Sequence, residues 1–550
     1  MVMFFAIVLI LIVIWSVTRY RRMTLLSRHG FPGPRPHFLF GNMLEVHAKG
    51  GLSDIYEEWH TKYGPIVGFY LGGVPNLVVA DEELLKKVMV TDFTTFNHHQ
   101  LFVKGGPTAV GPAAKHIVIN TSIDDWRRKR SLLSPAFTAA QIRRMIPSIS
   151  TIVDNFMKAM TTMADGEEFE LAQHVNRTTL GVIARVAFGL DFGYAATASR
   201  QTTQEFERMS EAMTRVARVT MNDITCGKLM LLFPEFTFIW YPLRILIDSI
   251  LFFFSATPES KLLNISRKVL NTRIKETQLT GGSDRRDLMQ ILMDARQRLD
   301  EQFKDSDFEM KATESVPAEN AVQKRTTTIK STITLTENDV ISQIYPVLAA
   351  GYETTAASLQ FLMYNLANNQ PIQDQLRLEI TKLKVNDDGH YDYESLMFDS
   401  PFMVAVVRET LRLYPPVTSL LTRVAGVDYH HNGRTIPAGV GVISSIMPMH
   451  LSDKFWPDPL KWNPDRHLSE DGQKLASLPS QYAYQTFGNG PRNCVGMRLA
   501  YLEINLVLAK LLSTFRLVPG PSTETGRLKL TEGYGTLSPA NPIYIRIERL

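Results

Sequence analysis

The sequence predicts a mainly α-helical fold with small β-sheets, preceded by a single N-terminal transmembrane helix. Three observations lead there. The longest helical signals lie in the second half of the chain, over 336–369, 404–413 and 497–515. Strand-like runs are short, as in Ile66 to Tyr70 and Leu77 to Ala80, and no internal repeat is present. The chain opens on an apolar run, Val2 to Val17, that carries no charge. With 45% hydrophobic and 21% charged residues in 550, the rest has globular composition, which argues against a disordered or collagen-like chain.

Arg19, Arg21 and Arg22 follow the opening run at once. The run is at the short end of the roughly 17–25 residues that span a bilayer. A cleaved signal peptide would need basic residues before the run and a small-residue cleavage site after it. Neither is present, so residues 1–22 read as a signal anchor, with cleavage as the rival reading. The basic flank keeps the following chain cytosolic. Residues 23–36 contain Pro32, Pro34 and Pro36, which dictate a stiff, extended tether without helix. Residues 37–550 are left for the folded part, three or four domains by length alone.

Two segments in that part are irregular. Leu229 to Phe254 is rich in aromatic and apolar residues, but Pro234, Glu235, Pro242, Arg244 and Asp248 speak against a second span. It is either a pair of core helices or a surface patch dipping into a membrane. Residues 300–331 are polar and rich in lysine, glutamate and threonine, and read as a flexible insertion.

Composition also excludes functions. Fifty-nine basic against 55 acidic residues leave +4, too little to imply a nucleic-acid partner. Two cysteines, Cys226 and Cys494, exclude a disulfide framework and any four-cysteine zinc or iron–sulfur site within the chain. No H-E-x-x-H occurs, so zinc hydrolysis finds no support.

A lone cysteine is usually a small inert hydrophobe. The neighbourhood of Cys494, Phe487-Gly488-Asn489-Gly490-Pro491-Arg492-Asn493-Cys494-Val495-Gly496, argues otherwise. Its glycines let the backbone approach something flat and bulky. A helix beginning at Met497 places the cysteine just before a helix N-terminus, where the dipole and free N–H groups favour a thiolate. With Arg492 two residues away, this loop suits a metal centre that carries anionic side groups.

Thr336 to Asp339 looks like a capping box, and the helix that follows runs to about Asn369, where Pro371 stops it. It should be roughly 50 Å long. Inside it, Ala350-Gly351-Tyr352-Glu353-Thr354-Thr355 is a poor choice for a buried helix interior. Thr354 can bond back to the Ala350 carbonyl, and Gly351 leaves room for a small ligand beside the backbone. Pro346, about one turn earlier, should kink the helix. Elsewhere, Glu409 and Arg412 share a helix face. Exposed, such a pair is worth little; their apolar neighbours suggest burial, where an unpaired charge is costly. Trp126 and Arg130 also share a face, and Arg127, Arg128 and Lys129 between them read as a solvated basic surface.

The cysteine segment matches F-x-x-G-x-R-x-C-x-G, the haem-binding signature of the cytochrome P-450 superfamily, at all five fixed positions. The chain resembles that family over essentially its whole length. Residues 350–355 resemble its A/G-G-x-D/E-T-T/S motif, 409–412 its E-x-x-R, and 126–130 its W-x-x-x-R. Within the superfamily, Trp126 to Met145 and Gly351 to Thr355 look most like the microsomal group of vertebrate 3A-type drug- and steroid-oxidising enzymes. Thromboxane synthase sits near that group but lacks the threonine pattern.

The resemblance implies the cytochrome P-450 fold and haem b, with Cys494 as axial thiolate to the iron. Phe487 would pack beside the sulfur, Arg492, Arg423, Trp126 and Arg130 would serve the propionates, and Ala350 and Gly351 would border the haem. Thr354 and Glu353 would deliver protons. Arg466 would complete a structural triad with Glu409 and Arg412, although Trp462 to His467 departs from the usual P-E-R-F by Asp465 and His467. One haem touching residues from Trp126 to Cys494 implies a single catalytic domain, which overrules the estimate from length.

By the same resemblance the activity is insertion of one oxygen atom of O₂ into a lipophilic steroid, fatty acid or xenobiotic. Electrons come from NADPH through NADPH-cytochrome P-450 reductase, an acidic flavoprotein received on the Arg127–Lys129 face, and cytochrome b5 is a second candidate donor. The location is the endoplasmic reticulum membrane, with the catalytic domain cytosolic and the sequons at Asn120, Asn176 and Asn264 unmodified. Rival readings are a peroxide isomerase or dehydratase needing neither O₂ nor NADPH, against which Glu353 and Thr354 count, and a haem carrier or sensor. The substrate walls would be 97–120, 417–421 and 534–537.

Overall fold

The apolar opening run forms a helix, Val2–Met23, whose outer side chains such as Phe4, Leu9 and Ile12 are exposed along its length. At ~1.5 Å per residue it is long enough to cross a bilayer. This computed structural model describes residues 1–96, 98–99, 110–118, 122–190, 207–213, 215, 226–280, 287–302, 310–313, 326–329, 336–419, 421–532 and 536–550. The proline-rich segment over 31–36 is non-helical, as its prolines require, but it does not stand free. Phe31 is buried, the Gly68 N–H donates to the Pro32 carbonyl at 2.8 Å, and a Cβ on Gly33 would lie 1.9 Å from the Gly68 carbonyl oxygen.

Both strand-like runs are strands, Ile66–Leu71 and Val74–Val79, paired antiparallel with Ile66 opposite Val79. The second pairs in parallel with Gly441–Ser444, which in turn pairs antiparallel with Thr422–Val424. This four-stranded sheet joins the beginning of the domain to its last third. A second sheet holds Phe515–Val518, Tyr544–Arg549 and the short strand Phe169–Glu170.

The central helix, Glu337–Asn368, is closed by a complete capping box: the Thr336 hydroxyl accepts from the Asp339 N–H and the Asp339 carboxylate accepts from the Thr336 N–H. It continues through Pro346 and packs on Leu171–Phe188, Pro258–Thr280, Pro401–Leu413 and the cysteine helix Met497–Thr514. The helix bearing Glu409 starts at Pro401, before the apolar run at Val404, because proline suits the first turn and the Glu379 carboxylate accepts from the Phe402 and Met403 N–H groups. One buried apolar cluster reaches from Phe93 to Ile547.

The structure divides the aromatic segment 229–254. Gly227–Leu232 packs inward through Met230 and Leu231. The outer helix Thr237–Phe253 buries only Arg244 and Asp248 and exposes Phe238, Leu246, Ile250 and Phe253, so the core-helix reading does not hold for it. Most of 300–331 lies outside the described residues. Within it, Met310–Thr313 pairs antiparallel with Thr326–Ile329, a ribbon where sequence predicts a structureless loop.

Candidate active site

The cysteine loop is built by backbone contacts that only glycine permits. Gly488 and Gly490 have φ of +71° and +72°, and a Cβ on Gly490 would sit 2.0 Å from the Met89 carbonyl oxygen. The turn closes with the Asn493 N–H donating to Gly490 and the Cys494 N–H donating to the Phe487 carbonyl at 2.8 Å. The Phe487 ring packs on Tyr501 of the cysteine helix, 5.3 Å between centroids.

Cys494 stands just before that helix, and its side chain is solvent-accessible. The Gly496 and Met497 N–H groups at the helix start act on the sulfur in the sense the sequence reading expects for a thiolate. Burial within the surrounding protein pushes the thiol pKa up; the Gly496 and Met497 N–H groups and the Arg130 charge pull it down without overcoming that effect. A coordinated metal ion would deprotonate it outright.

Arg130 donates to both the backbone and side-chain oxygens of Asn493, at 2.8 and 2.9 Å, and so ties the helix Ile123–Leu133 to the residue before the cysteine. Arg492 stacks its guanidinium over the Trp126 ring, 4.7 Å from the centroid. Arg423 is fully buried on its strand. Its Nη1 donates to the Thr422 carbonyl, while Nε and Nη2 meet no acceptor among the described residues. Burial lowers Arg423 to about 10, and burial together with the Arg423 charge lowers Arg492 to about 9. His99, which the sequence reading placed only within the 97–120 wall, feels both arginines and is held far below the usual histidine range, first by burial and then by their charges.

A buried guanidinium with two unmatched N–H groups is costly unless an anion meets it. Haem carries two propionate carboxylates, so Arg423 beside Arg492 and the cysteine loop fits that group.

On the central helix the Thr354 hydroxyl donates to the Ala350 carbonyl at 2.6 Å. Ala350 is exposed, and Gly351, Glu353 and Thr354 are half-buried, in a helix whose flanks at 340–346 and 355–367 are buried. Gly351 does not leave space for a ligand on its side-chain face. A Cβ there would lie 2.6 Å from Ile183 Cδ1, so this glycine lets two helices pack closely.

Glu409, Arg412 and Arg466 are in direct contact. Arg412 donates to both Glu409 oxygens, at 2.8 and 2.9 Å, and Arg466 Nε donates at 3.0 Å. The Asn463 N–H and the His467 ring nitrogen Nε2 also meet this carboxylate, so His467, which departs from the usual phenylalanine, belongs to the cluster. Burial would raise the Glu409 pKa, but the hydrogen bonds from Arg412 and His467 and the Arg412 charge leave it below the usual carboxylate range. His467 is itself lowered by burial, which keeps its ring neutral as a donor. His450 connects this cluster to the cysteine loop, bonding the Arg412 carbonyl through Nδ1 and accepting the Gln485 N–H at Nε2.

The basic run is not the solvated face that sequence predicts. Lys129 is buried, with its ammonium held by Asp125 and the Lys115 carbonyl. Arg128 pairs with Asp125 and Asp339, and Arg127 with Asp124. Of the suggested substrate walls, Val417 bridges to Thr536 and the Leu537 N–H donates to Pro416; residues 97, 100–109, 119–120, 420 and 534–535 lie outside the described residues.

Residues 31–547 match the sequence profile of the family described as Cytochrome P450. The chain belongs to that family and is a haem-dependent monooxygenase of its class. Curated relatives include cytochrome P450 3A14 of Cavia porcellus, 28% identical over 94% of this chain and 91% of the relative. Lithocholate 6-beta-hydroxylase of Mesocricetus auratus is 29% identical over the same shares, and cytochrome P450 6a2 of Drosophila melanogaster 27% identical over 99% and 100%.

Proposed function

We propose that the chain is a membrane-bound monooxygenase that oxidises a lipophilic small molecule with O₂. Its electrons come from NADPH through NADPH-cytochrome P-450 reductase, with cytochrome b5 as a second donor, at the cytosolic face of the endoplasmic reticulum. Residues 1–22 anchor it, 23–36 connect, and 37–550 form the catalytic domain. Steroid, fatty-acid and xenobiotic substrates all fit that description; the name of one relative, lithocholate 6-beta-hydroxylase, supports a steroid-like molecule.

The observation that carries the reading is Arg423, a buried cation with two N–H donors that meet no acceptor among the described residues, beside the loop that presents Cys494. Cys494 would ligate the haem iron, Arg423 and Arg492 would hold the propionates, and Trp126 would support Arg492 from beneath. Arg130, in addition to any propionate contact, braces the cysteine loop through Asn493. When bound, the haem supplies O₂ binding and reductive O–O cleavage, which a thiolate ligand favours. The Thr354 hydroxyl, parked on the Ala350 carbonyl, keeps lone pairs to accept a proton from the Glu353 side and pass its own onward.

The test is the difference spectrum of the reduced protein with carbon monoxide, in wild type and Cys494→Ser. A strongly red-shifted Soret band in wild type alone supports thiolate ligation, and NADPH-dependent product formation then supports the reaction. A histidine-like band would overturn the ligand assignment, and turnover of a peroxide without NADPH would favour the isomerase.

A further inference from the structure

The helix Glu82–Lys86 does not end in an ordinary turn. It widens into a single π-helical turn, Lys87–Thr91, closed by the Asp92 N–H donating to the Lys87 carbonyl at 2.8 Å. Turns of this width are rare and occur frequently at functional sites. Val88 and Met89 are fully buried, and the Met89 carbonyl lies against Gly490 of the cysteine loop. A Cβ on Gly490 would be 2.0 Å from that oxygen and 2.9 Å from its carbon. Backbone therefore meets backbone, with no side chain between them to absorb a shift. The height of the turn is passed directly to the loop.

Asp92, the residue that ends the turn, is held from the far side. Its Oδ2 accepts from the Tyr429 hydroxyl at 2.5 Å. Burial, and then the Asp92 carboxylate, push the Tyr429 phenol up, so it remains the donor of a charge-assisted bond. The Tyr429 ring stands edge-on to Phe96, 4.8 Å between centroids, and its strand Tyr429–His431 pairs with Arg434–Ile436 in a hairpin. Backbone bonds run alongside, the Gly426 N–H donating to Thr95 at 2.9 Å and the Val424 N–H to His98 at 3.0 Å. Those bonds fasten residues 95 and 98; the Tyr429 bond acts on the residue that closes the turn.

We propose that Tyr429 is a positioning residue for the cysteine loop: its bond to Asp92 holds the π-helical turn against Gly490 and so fixes how deeply Cys494 is presented to the haem iron. This rests on reading Cys494 as the ligand of that iron. Two features set the bond apart from an ordinary interior contact. The turn it closes is widened, and the residue that the turn touches stands four positions before the cysteine.

The test uses the full-length holoprotein. Tyr429→Phe keeps the ring on Phe96 and removes the hydroxyl. The iron–sulfur stretching band in the ferric resonance Raman spectrum should move from its wild-type position. The red-shifted carbon monoxide band should convert to a histidine-like one about tenfold faster, as expected for one lost hydrogen bond to a charged group. Asp92→Ala should do the same, and the two combined should be no worse than either alone, because both remove one bond. Asp92→Asn keeps an acceptor and should stay close to wild type. An unmoved iron–sulfur band overturns the proposal even if the urea midpoint falls, since a merely structural bond would lower stability and leave the ligand geometry alone. Additive effects in the double variant overturn the pairing. Should Tyr429→Phe not fold, Asp92→Ala against Asp92→Asn decides by the same two readouts. A wild type without the red-shifted band overturns the reading of Cys494 itself, and the proposal with it; that band in wild type with unaltered variants overturns the proposal alone.

Discussion

Arg412 and Arg423 are both fully buried guanidinium groups, and their surroundings differ in kind. Arg412 faces Glu409, which also takes Arg466, His467 and a backbone N–H, and a further Arg412 donor reaches the His450 carbonyl. Among the described residues Arg423 has one carbonyl, that of its own neighbour Thr422, and two donors that meet no acceptor. The chain completes one buried cation from within and leaves the other to be completed from outside. A charge neutralised by the fold belongs to its scaffold; a charge desolvated without a partner marks where a ligand's opposite charge is received.

The largest test of that contrast is Glu409→Ala. It strands Arg412 and Arg466 without their carboxylate and should destabilise the protein by about 3–5 kcal/mol. Urea unfolding monitored by tryptophan fluorescence reads this, and a loss below about 1 kcal/mol would mean the cluster does not hold the scaffold. Arg423→Ala should act in the opposite sense on the polypeptide. Haem should dissociate ~10–100-fold faster to a scavenging globin, as expected for lost charged hydrogen bonds. The haem-stripped chain should be no less stable to urea, because an uncompensated charge has left the core.

Acid should attack the completed cluster first. Burial lowers the His450 pKa to about 3, far below its unfolded value near 6.5. Between those values the unfolded chain binds more protons, so the stability contributed by neutral His450 is fully present above pH 6.5. It is lost as pH falls, by ~1.4 kcal/mol per pH unit. His467 adds in the same direction, and the depressed Glu409 extends the loss at lower pH. Urea midpoints measured from pH 7 to 5 should fall, and a flat profile would contradict the neutral, bonded His450. The smallest effect belongs to Thr354→Ala. Removing its bond to Ala350 should change stability by about 1 kcal/mol or less. The ratio of product formed to NADPH consumed should drop clearly, and an unchanged ratio would leave Thr354 with a structural role only.

Much of this was legible in the sequence because local rules governed it. Thr336 and Asp339 form the capping box from their own spacing, and Glu409 meets Arg412 because i and i+3 share a face. What could not be read was set by partners far along the chain. Lys129 looks solvated beside Arg127 and Arg128, yet Asp125 and the Lys115 carbonyl take it inside. Gly351 looks like room for a ligand until Ile183 of another helix occupies that side. Cys494 sits at a helix start as predicted, with the Gly496 and Met497 N–H groups acting on its sulfur, but that Arg130, far earlier in the chain, adds its charge there could not be read. His467 looked like a mild departure and became a donor to Glu409, which only the three-dimensional arrangement of 409 and 467 reveals.

The four-stranded sheet also sets a timetable. Val78 lies opposite Ile443, and Arg423 is carried on the strand beside it. Translation at ~5–20 residues per second would put roughly 20–70 s between the emergence of the two paired strands. Throughout that interval the hairpin Ile66–Val79 presents an unpaired, strongly apolar edge. That edge stays open to unwanted pairing until the residues that complete both the sheet and the site have been made.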